Sequence, residues 1–424
     1  MERRMFLKTI GAGALAFPAL VPSKVLGAGA PGNKIVMGAI GTGGMGQSNM
    51  RELLRIDDVQ MVAVCDVEQG HVASAAGLVN QRYGNRDCRL YGDYREMLAK
   101  EKLDAVMLAL PDHWHALVAI ACAEAGCDIY GEKPLARSIV EGRAICDAVQ
   151  RYGCVWQTGS WQRSRDGFRR ACELVRNGRI GKLTRIEVGF PPRTFGIHPV
   201  PAPRTPPAGL DWDLWLGPAP YRPYVPFGGG SVHFNWRWIM DYSCGHLTDW
   251  SGHHIDIAHW GADKDDTGPV EIEGHGEFIK NELYDVPLNW KFTSVYADGL
   301  VMDVADHGLA GGTRFIGDAG WIHVDRGGPQ ASNPAILREV IGPEETHLYR
   351  STNHFTNFID CVKSRRPTIT PVESAQRSIS AGLLGEIAML TGRKIKWDPA
   401  TETILDDPGA SALLKRPYRE PWVL

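Results

Sequence analysis

The sequence predicts an α/β protein. Its first part reads as a doubly wound parallel sheet, and its second as an α/β unit on mostly antiparallel strands. Three observations carry this. The apolar run Ile35 to Ile40 leads directly into a turn carrying Gly41, Gly43 and Gly46. From Lys34 to about Thr158, short apolar runs alternate with helical stretches, the pattern of parallel strands joined by crossover helices. From Pro269 to Val324, alternating runs such as Trp290 to Tyr296 and Leu300 to Asp306 follow one another across short connections, as antiparallel pairs do.

The glycine turn has the spacing G-x-G-x-x-G, followed by a breaker-free helical stretch, Gln47 to Arg55. The first glycine permits a tight turn and the second a close approach of pyrophosphate to the backbone. The third lets helix and strand pack closely. Phosphates would then meet the free N–H groups at the helix start. A second apolar run, Val59 to Cys65, ends in Asp66, roughly 20 residues past the glycines, where an acid can accept from a ribose 2′-hydroxyl. The unit points to a bound dinucleotide. No Arg or Lys directly follows Asp66, which favours NAD over NADP.

The elements continue in order. Glu68 to Tyr83 and Asp93 to Lys100 read as helices, the second opening on a capping-box spacing. Ala105 to Leu110 is a buried strand that stops at Pro111. His115 to Ala125 is a helix closed by Gly126, and Ile129-Tyr130 is a short strand. Ser138 to Glu141 caps a helix running to Arg151, and Val155 to Gln157 closes the series. Beyond Gly159 come a helix, Ser164 to Asn177, and a strand, Leu183 to Phe190. A loop from Pro191 to Asn235, rich in Pro, Gly and aromatics, reads as a wall over the site. His354 to Lys363 and Ser374 to Leu390 read as helices; His354 fits a pocket residue or a structural helix end. The expected divisions are 1–30, 34–158 and 159–424.

Composition excludes some classes. With 44% apolar and 22% charged residues the chain is an ordinary globular one, and a net charge of −3 gives no reason to expect a nucleic-acid partner. The nine Cys form no C-x-x-C pair and sit mostly in apolar runs. The N-terminus reads as an address. Arg3-Arg4-Met5-Phe6-Leu7-Lys8 is a twin-arginine pattern, followed by a modest apolar stretch, Thr9 to Val21, and an A-x-A site at Ala28-Gly29-Ala30. The expectation is export to the periplasm by the route that carries folded proteins, with no stable membrane insertion once the leader is removed.

Ligands of doubly wound sheets bind outside the carboxyl ends of the strands. Gly41 to Gly46, Pro111 to His115 and Glu132-Lys133-Pro134 fall at such ends, so Pro111, His115, Glu132 and Lys133 join the glycines and Asp66 as expected cofactor contacts. Lys133 can also donate to a substrate oxygen and stabilise a developing alkoxide. Read as a continuous helix, Asp249 to Trp260 sets Asp249, His253, Asp256 and Trp260 on one face. Carboxylate and imidazole could hold a metal, but hydride transfer with a Lys needs none, so no metal is expected.

Together these residues resemble the Gfo/Idh/MocA oxidoreductases, which include glucose–fructose oxidoreductase and inositol dehydrogenases. The resemblance rests on the glycine turn, Pro111-Asp112-His113-Trp114-His115, Glu132-Lys133-Pro134, Gln162-Arg163, Leu210 to Pro218 and Asp249 to Asp256. It implies a Rossmann domain and a second domain with one large open sheet, whose free face serves a homodimer or tetramer. It implies that Lys133, Asp249 and His253 are catalytic. Arg163, Trp236, Arg237 and His254 are assigned to a carbohydrate substrate. Cys244 and Ser251 depart from the glycines expected at those positions, which puts pocket shape in question.

The expected function is hydride transfer between tightly held NAD and a sugar, polyol or glycoside carbon. His253 is the better base near neutrality, since a Lys at its ordinary pKa is a poor one. Two other readings stand beside it. One is a glycosidase that oxidises the ring transiently through NAD, eliminates, adds water and reduces back. The other is a non-catalytic binding protein, which predicts loss of Lys133 or His253.

Overall fold

A computed structural model describes residues 34–191, 195–227 and 232–424. The expected leader, 1–30, lies outside the described residues. Six strands form the first sheet: β1 (Ile35–Ile40), β2 (Val59–Cys65), β3 (Arg89–Tyr91), β4 (Ala105–Leu108), β5 (Asp128–Gly131) and β6 (Trp156–Thr158). Their order is β3-β2-β1-β4-β5-β6, and every pair is parallel. Helices Gly44–Leu53, Gln69–Tyr83, Tyr94–Lys100, His115–Glu124 and Ile139–Tyr152 supply the crossovers. Strands buried on both faces need continuous apolar runs, and β1, β4 and β5 are buried nearly throughout.

The register sets the site. Ile40 pairs with Cys65 and with Leu108, and Leu108 pairs with Gly131. The carboxyl ends of β1, β2, β4 and β5 are therefore level. The residues that follow them, Gly41, Asp66, Ala109 and Glu132, emerge along one edge.

The second sheet has nine strands: β7 (Leu183–Gly189), β8 (Glu271–Glu277), β9 (Leu288–Val295), β10 (Val301–Ala305), β11 (Gly312–Gly317), β12 (Trp321–Asp325), β13 (Gly328–Ala331), β14 (Ile395–Asp398) and β15 (Thr403–Leu405). The order is β13-β12-β11-β7-β10-β9-β8-β14-β15. All neighbours are antiparallel except β7 and β10, which the long excursion after β7 brings together in parallel. Along β9, Leu288, Trp290, Phe292 and Ser294 are buried, whereas Asn289 and Lys291 are exposed. The buried row faces helix Val372–Thr391, where a Cβ on Gly385 would come within 2.6 Å of Phe292.

Part of the described stretch from Pro191 to Asn235 is packed, whereas Ile197, Val200, Tyr221 and Phe234 are exposed. Trp212, Trp215, Phe227, Trp236, Trp238 and Tyr242 belong to a separate apolar cluster around the short helices Trp212–Leu216 and Val232–Asn235.

Late residues complete the first sheet's core. Phe358 and Ile359 of helix His354–Ser364 cluster with Ile35, Met37 and Tyr130. His354 hydrogen-bonds Ser164 Oγ and the Thr158 carbonyl at 2.8 and 2.9 Å, so it is the structural helix end. Arg137, just past the β5 turn, makes two bonds of 2.9 and 2.7 Å to Glu386. Residues Ile35–Leu424 form one compact unit. No helix among the described residues is long and apolar enough to cross a membrane.

Candidate active site

A cavity runs along the level strand ends. Gly41, Gly43, Asp66, Pro111, Lys133 and Asp249 line it. A second wall comes from the folded excursion, with Trp215, His233, Phe234, Trp236 and Arg237.

The glycines hold the positions that a dinucleotide requires. Gly41 has φ +80°, and a Cβ there would overlap the Ala109 carbonyl oxygen. A Cβ on Gly46 would overlap the Gly41 carbonyl oxygen, so this glycine serves helix–strand packing. A Cβ on Gly43 would meet nothing nearer than His71, at 3.4 Å. Helix Gly44–Leu53 has neither a side-chain cap nor an acid in its first turn, so its leading N–H groups are open to an anion. These residues fit a dinucleotide with its pyrophosphate over Gly43.

Asp66 is fixed beside them. Oδ2 accepts the Thr42 N–H at 2.7 Å, and Oδ1 accepts the Glu68 N–H at 3.0 Å. His71 Nδ1 lies 3.4 Å from Oδ2, and this bond raises the His71 pKa above its ordinary value, against the effect of burial. The His233 ring packs edge-on to His71, with centroids 4.4 Å apart. Burial, then the neighbouring His71, lower the His233 pKa. Neither histidine has a sequence signature, because 162 residues separate them.

At the far end Lys133 Nζ lies 2.7 Å from Asp249 Oδ1 and 3.3 Å from the Asp249 carbonyl. Arg237 Nε stands 3.6 Å from the same Oδ1. Burial alone would raise the Asp249 pKa, but Lys133 and Arg237 hold it well below the usual carboxylate range. Glu132 is buried, accepts from Asn49 at 2.8 Å, and is raised by burial against the pull of Lys133.

His253 is 5% exposed, and its Nδ1 is buried without a partner. Burial, then Lys133 and Arg326, lower its pKa well below the ordinary value, so the ring is neutral. His253 and His254 are not among the residues lining the cavity. His254 instead lies beside Phe190 and Trp250, with centroids at 6.3 and 5.0 Å.

Three expectations need correction. The segment from Asp249 is not one continuous helix: α-helix His246–Trp250 gives way to a π-helical turn, Ser251–Ile255, before α-helix Asp256–Ala262. The wider turn breaks the single polar face, and Asp249 meets Lys133 whereas Asp256 turns inward. Arg163 is not positioned to bind substrate. It is 2% exposed and paired with Asp256 at 2.7 and 2.8 Å and with Asp265 at 2.7 and 2.8 Å, which occupies its planar donors in the interior. His115 does not reach the cofactor cavity. Its two ring nitrogens lie 2.6 and 2.9 Å from the Pro134 and Leu110 carbonyls, so it ties the Glu132-Lys133-Pro134 turn to the end of β4. The two departures from glycine also stay clear of the cavity: Cys244 is buried, and Ser251 Oγ donates back to the Leu247 carbonyl of the preceding α-helix.

Residues 35–160 match the family description "Oxidoreductase family, NAD-binding Rossmann fold", and residues 195–424 match "Oxidoreductase family, C-terminal alpha/beta domain". The chain belongs to the Gfo/Idh/MocA oxidoreductase family. Similar curated proteins include an uncharacterized oxidoreductase, YrbE, of Bacillus subtilis (strain 168). It is 30% identical over 148 residues, covering 35% of this chain and 42% of YrbE. A glycosyl hydrolase family 109 protein of Stenotrophomonas maltophilia (strain K279a) is 30% identical over 202 residues, covering 45% of this chain and 42% of that protein. The chain thus spans less than half the length of these curated relatives. Among solved structures, the WlbA dehydrogenase from Bordetella pertussis, in complex with NADH and UDP-GlcNAcA, is similar in fold. Its TM-score is 0.62 at 17% identity, covering 86% of this chain and 99% of that chain.

Proposed function

We propose that the protein is an NAD-dependent oxidoreductase moving hydride between nicotinamide and a sugar, polyol or glycoside carbon. The observation that carries the reading is the Lys133–Asp249 pair at one end of a cavity whose other end holds the glycine turn and Asp66. Gly41, Gly43, Gly46 and Asp66 would hold the dinucleotide, which supplies the hydride acceptor when bound. Lys133 Nζ donates to the reacting hydroxyl oxygen and stabilises its negative charge as the proton leaves. His253, behind the cavity lining beside Lys133 and Asp249, is the proposed acceptor of that proton once seated substrate comes within its reach. Asp249 holds Lys133 Nζ in place through its 2.7 Å contact. Asp66 supports NAD over NADP: among the described residues only His71 stands within ion-pair distance of it, and Val67 follows it.

The same reading extends to where the protein works. The twin-arginine pattern supports export in folded form to the periplasm. Loading before export would let the cofactor be retained, with His233 and Phe234 of the excursion as its cover. The exposed Asn289 and Lys291 side of the nine-stranded sheet is the candidate face for a homo-oligomer.

A second reading is favoured by the similarity to the family 109 glycosyl hydrolase. Here the same residues oxidise a glycoside ring, the substituent is eliminated, water adds, and the hydride returns. One experiment separates the two. Purified protein is incubated with sugars and with aryl glycosides while reduced nicotinamide and released aglycone are followed together. Net reduction with free sugars supports the oxidoreductase, and aglycone release without net reduction supports the glycosidase. Neither signal across the panel overturns both.

A further inference from the structure

Beside the Lys133–Asp249 end of the cavity, two guanidinium groups share one indole. Arg165 Cζ and Arg326 Cζ each lie 4.7 Å from the centroid of Trp161. Arg326 also lies 4.7 Å from the centroid of Trp250, the residue after Asp249. The Trp161 and Trp250 rings stand 6.1 and 5.3 Å from the His253 ring. The arginine pair is therefore one aromatic ring away from the imidazole assigned as proton acceptor.

No carboxylate neutralises this pair among the described residues. Asp166, next to Arg165 in sequence, faces Arg169 at 3.4 Å and Arg350 at 3.8 Å. Asp325, next to Arg326, accepts the Gly327 N–H at 2.8 Å and lies 3.9 Å from His323. Asp249 is engaged by Lys133. Lys133 and Arg326 thus both act on His253, and Asp249 is the carboxylate that opposes them there.

Two like charges held together are unfavourable, and stacking on tryptophan offsets this only in part. Solvent would let both exposed arms diverge. Instead both stay on the Trp161 ring, and Arg165 Nη1 donates to the Arg326 backbone carbonyl at 3.4 Å. Burial and the Arg165 charge push the Arg326 pKa down against the pull of Asp249, and an arriving anion would act in the same sense as Asp249. The planar guanidinium fork matches carboxylate and phosphate oxygens.

We infer that the substrate is an anionic sugar, whose carboxylate or phosphate group is received by Arg326 and Arg165 while its reacting hydroxyl lies at Lys133 and His253. This rests on the oxidoreductase reading above for the position of the hydroxyl, but the anion site itself can be tested without turnover.

The test is calorimetric titration of the full protein, supplemented with NAD, with glucuronate, glucose 6-phosphate and glucose. Turnover is recorded alongside. At low salt at least one charged sugar binds at least tenfold tighter than glucose, and added salt narrows the gap. Arg326→Gln and Arg165→Gln each remove most of that preference and leave glucose binding in place. Arg326→Lys retains part of it, since the charge remains. Preference for glucuronate alone or for the phosphate alone identifies the group. The inference is overturned if charged and neutral sugars bind alike, if none binds, or if the preference survives both substitutions. A charge preference without turnover on any sugar sinks the oxidoreductase reading and leaves the anion site standing.

Discussion

Lys133 Nζ and Asp249 Oδ1, 116 residues apart in sequence, lie 2.7 Å apart at the junction of the two sheets. The Lys is delivered by the turn after β5 and the Asp by the last turn before the π-helical segment. Replacing Lys133 by Ala removes the donor to the reacting oxygen. Turnover is expected to fall at least about 10³-fold, somewhat more than the loss of one neutral oxyanion donor. NAD affinity, measured by calorimetry, stays within a few-fold. Full turnover in this variant would overturn the role given to Lys133.

Gly46 and Gly77 make opposite predictions. A methyl on Gly46 overlaps the Gly41 carbonyl, so Gly46→Ala should lower stability by about 1–3 kcal/mol and weaken NAD binding. Gly77 is exposed within helix Gln69–Tyr83, and a Cβ there meets nothing within 4 Å. Gly77→Ala should raise stability by about 0.5–1 kcal/mol. Urea midpoints of the two variants check both signs.

Arg163 supplies a third prediction. Arg163→Ala leaves the buried Asp256 carboxylate, and the partly exposed Asp265 beside it, without their cation, and loss of one partner from a buried pair costs about 3–5 kcal/mol. The thermal midpoint should drop by many degrees, while the KM of the folded fraction changes little. A raised KM at unchanged stability would restore the substrate-binding assignment.

The pH dependence of stability follows from four buried histidines. Burial lowers His113 and His254 from 6.5 to about 3, and His259 and His354 to about 4. Each is neutral when folded and takes a proton near pH 6.5 when unfolded. Their contribution is thus complete above pH 6.5 and is lost progressively as pH falls toward the folded values. Each accounts for about 1.4 kcal/mol per pH unit in that window. The urea midpoint should fall steeply between pH 6.5 and 4, and His259→Gln should make the fall shallower. An unchanged slope would show that His259 does not titrate on unfolding.

Export and retention make a fifth prediction. Washed periplasmic protein, heat-denatured, should release nicotinamide into the supernatant. Carrying Arg3→Lys and Arg4→Lys together should hold the protein in the cytoplasm. An empty protein that binds added NAD only at millimolar levels would sink the retained-cofactor idea.

What could be read from the sequence was local. Gly41, Gly43, Gly46 and Asp66 follow from one βαβ unit, and Lys133 from the end of a strand, because period and turn chemistry are written in neighbouring residues. The π-turn at Ser251–Ile255 left no such trace: an extra residue per turn does not alter the apparent spacing of Asp249, His253 and Asp256. Arg163 was misread because its partners lie 93 and 102 residues away. His71 facing His233, and Arg326 stacked on Trp161 and Trp250, depend on how distant segments come together. So does the parallel pairing of β7 with β10 inside an otherwise antiparallel sheet.

Helix His354–Ser364 seals the apolar layer under β1, the Thr158 N–H donates to the Thr370 carbonyl at 3.0 Å, and Arg137 closes onto Glu386. This has a bearing on biosynthesis. The first strands to leave the ribosome wait for some of the last segments made, so the nucleotide half cannot settle while the chain is still being translated. A premature stop codon before Phe358 would leave β1 to β6 with an open apolar flank, exposed to chaperones and proteases. Dinucleotide loading would then be an event of the finished polypeptide, after its release from the ribosome.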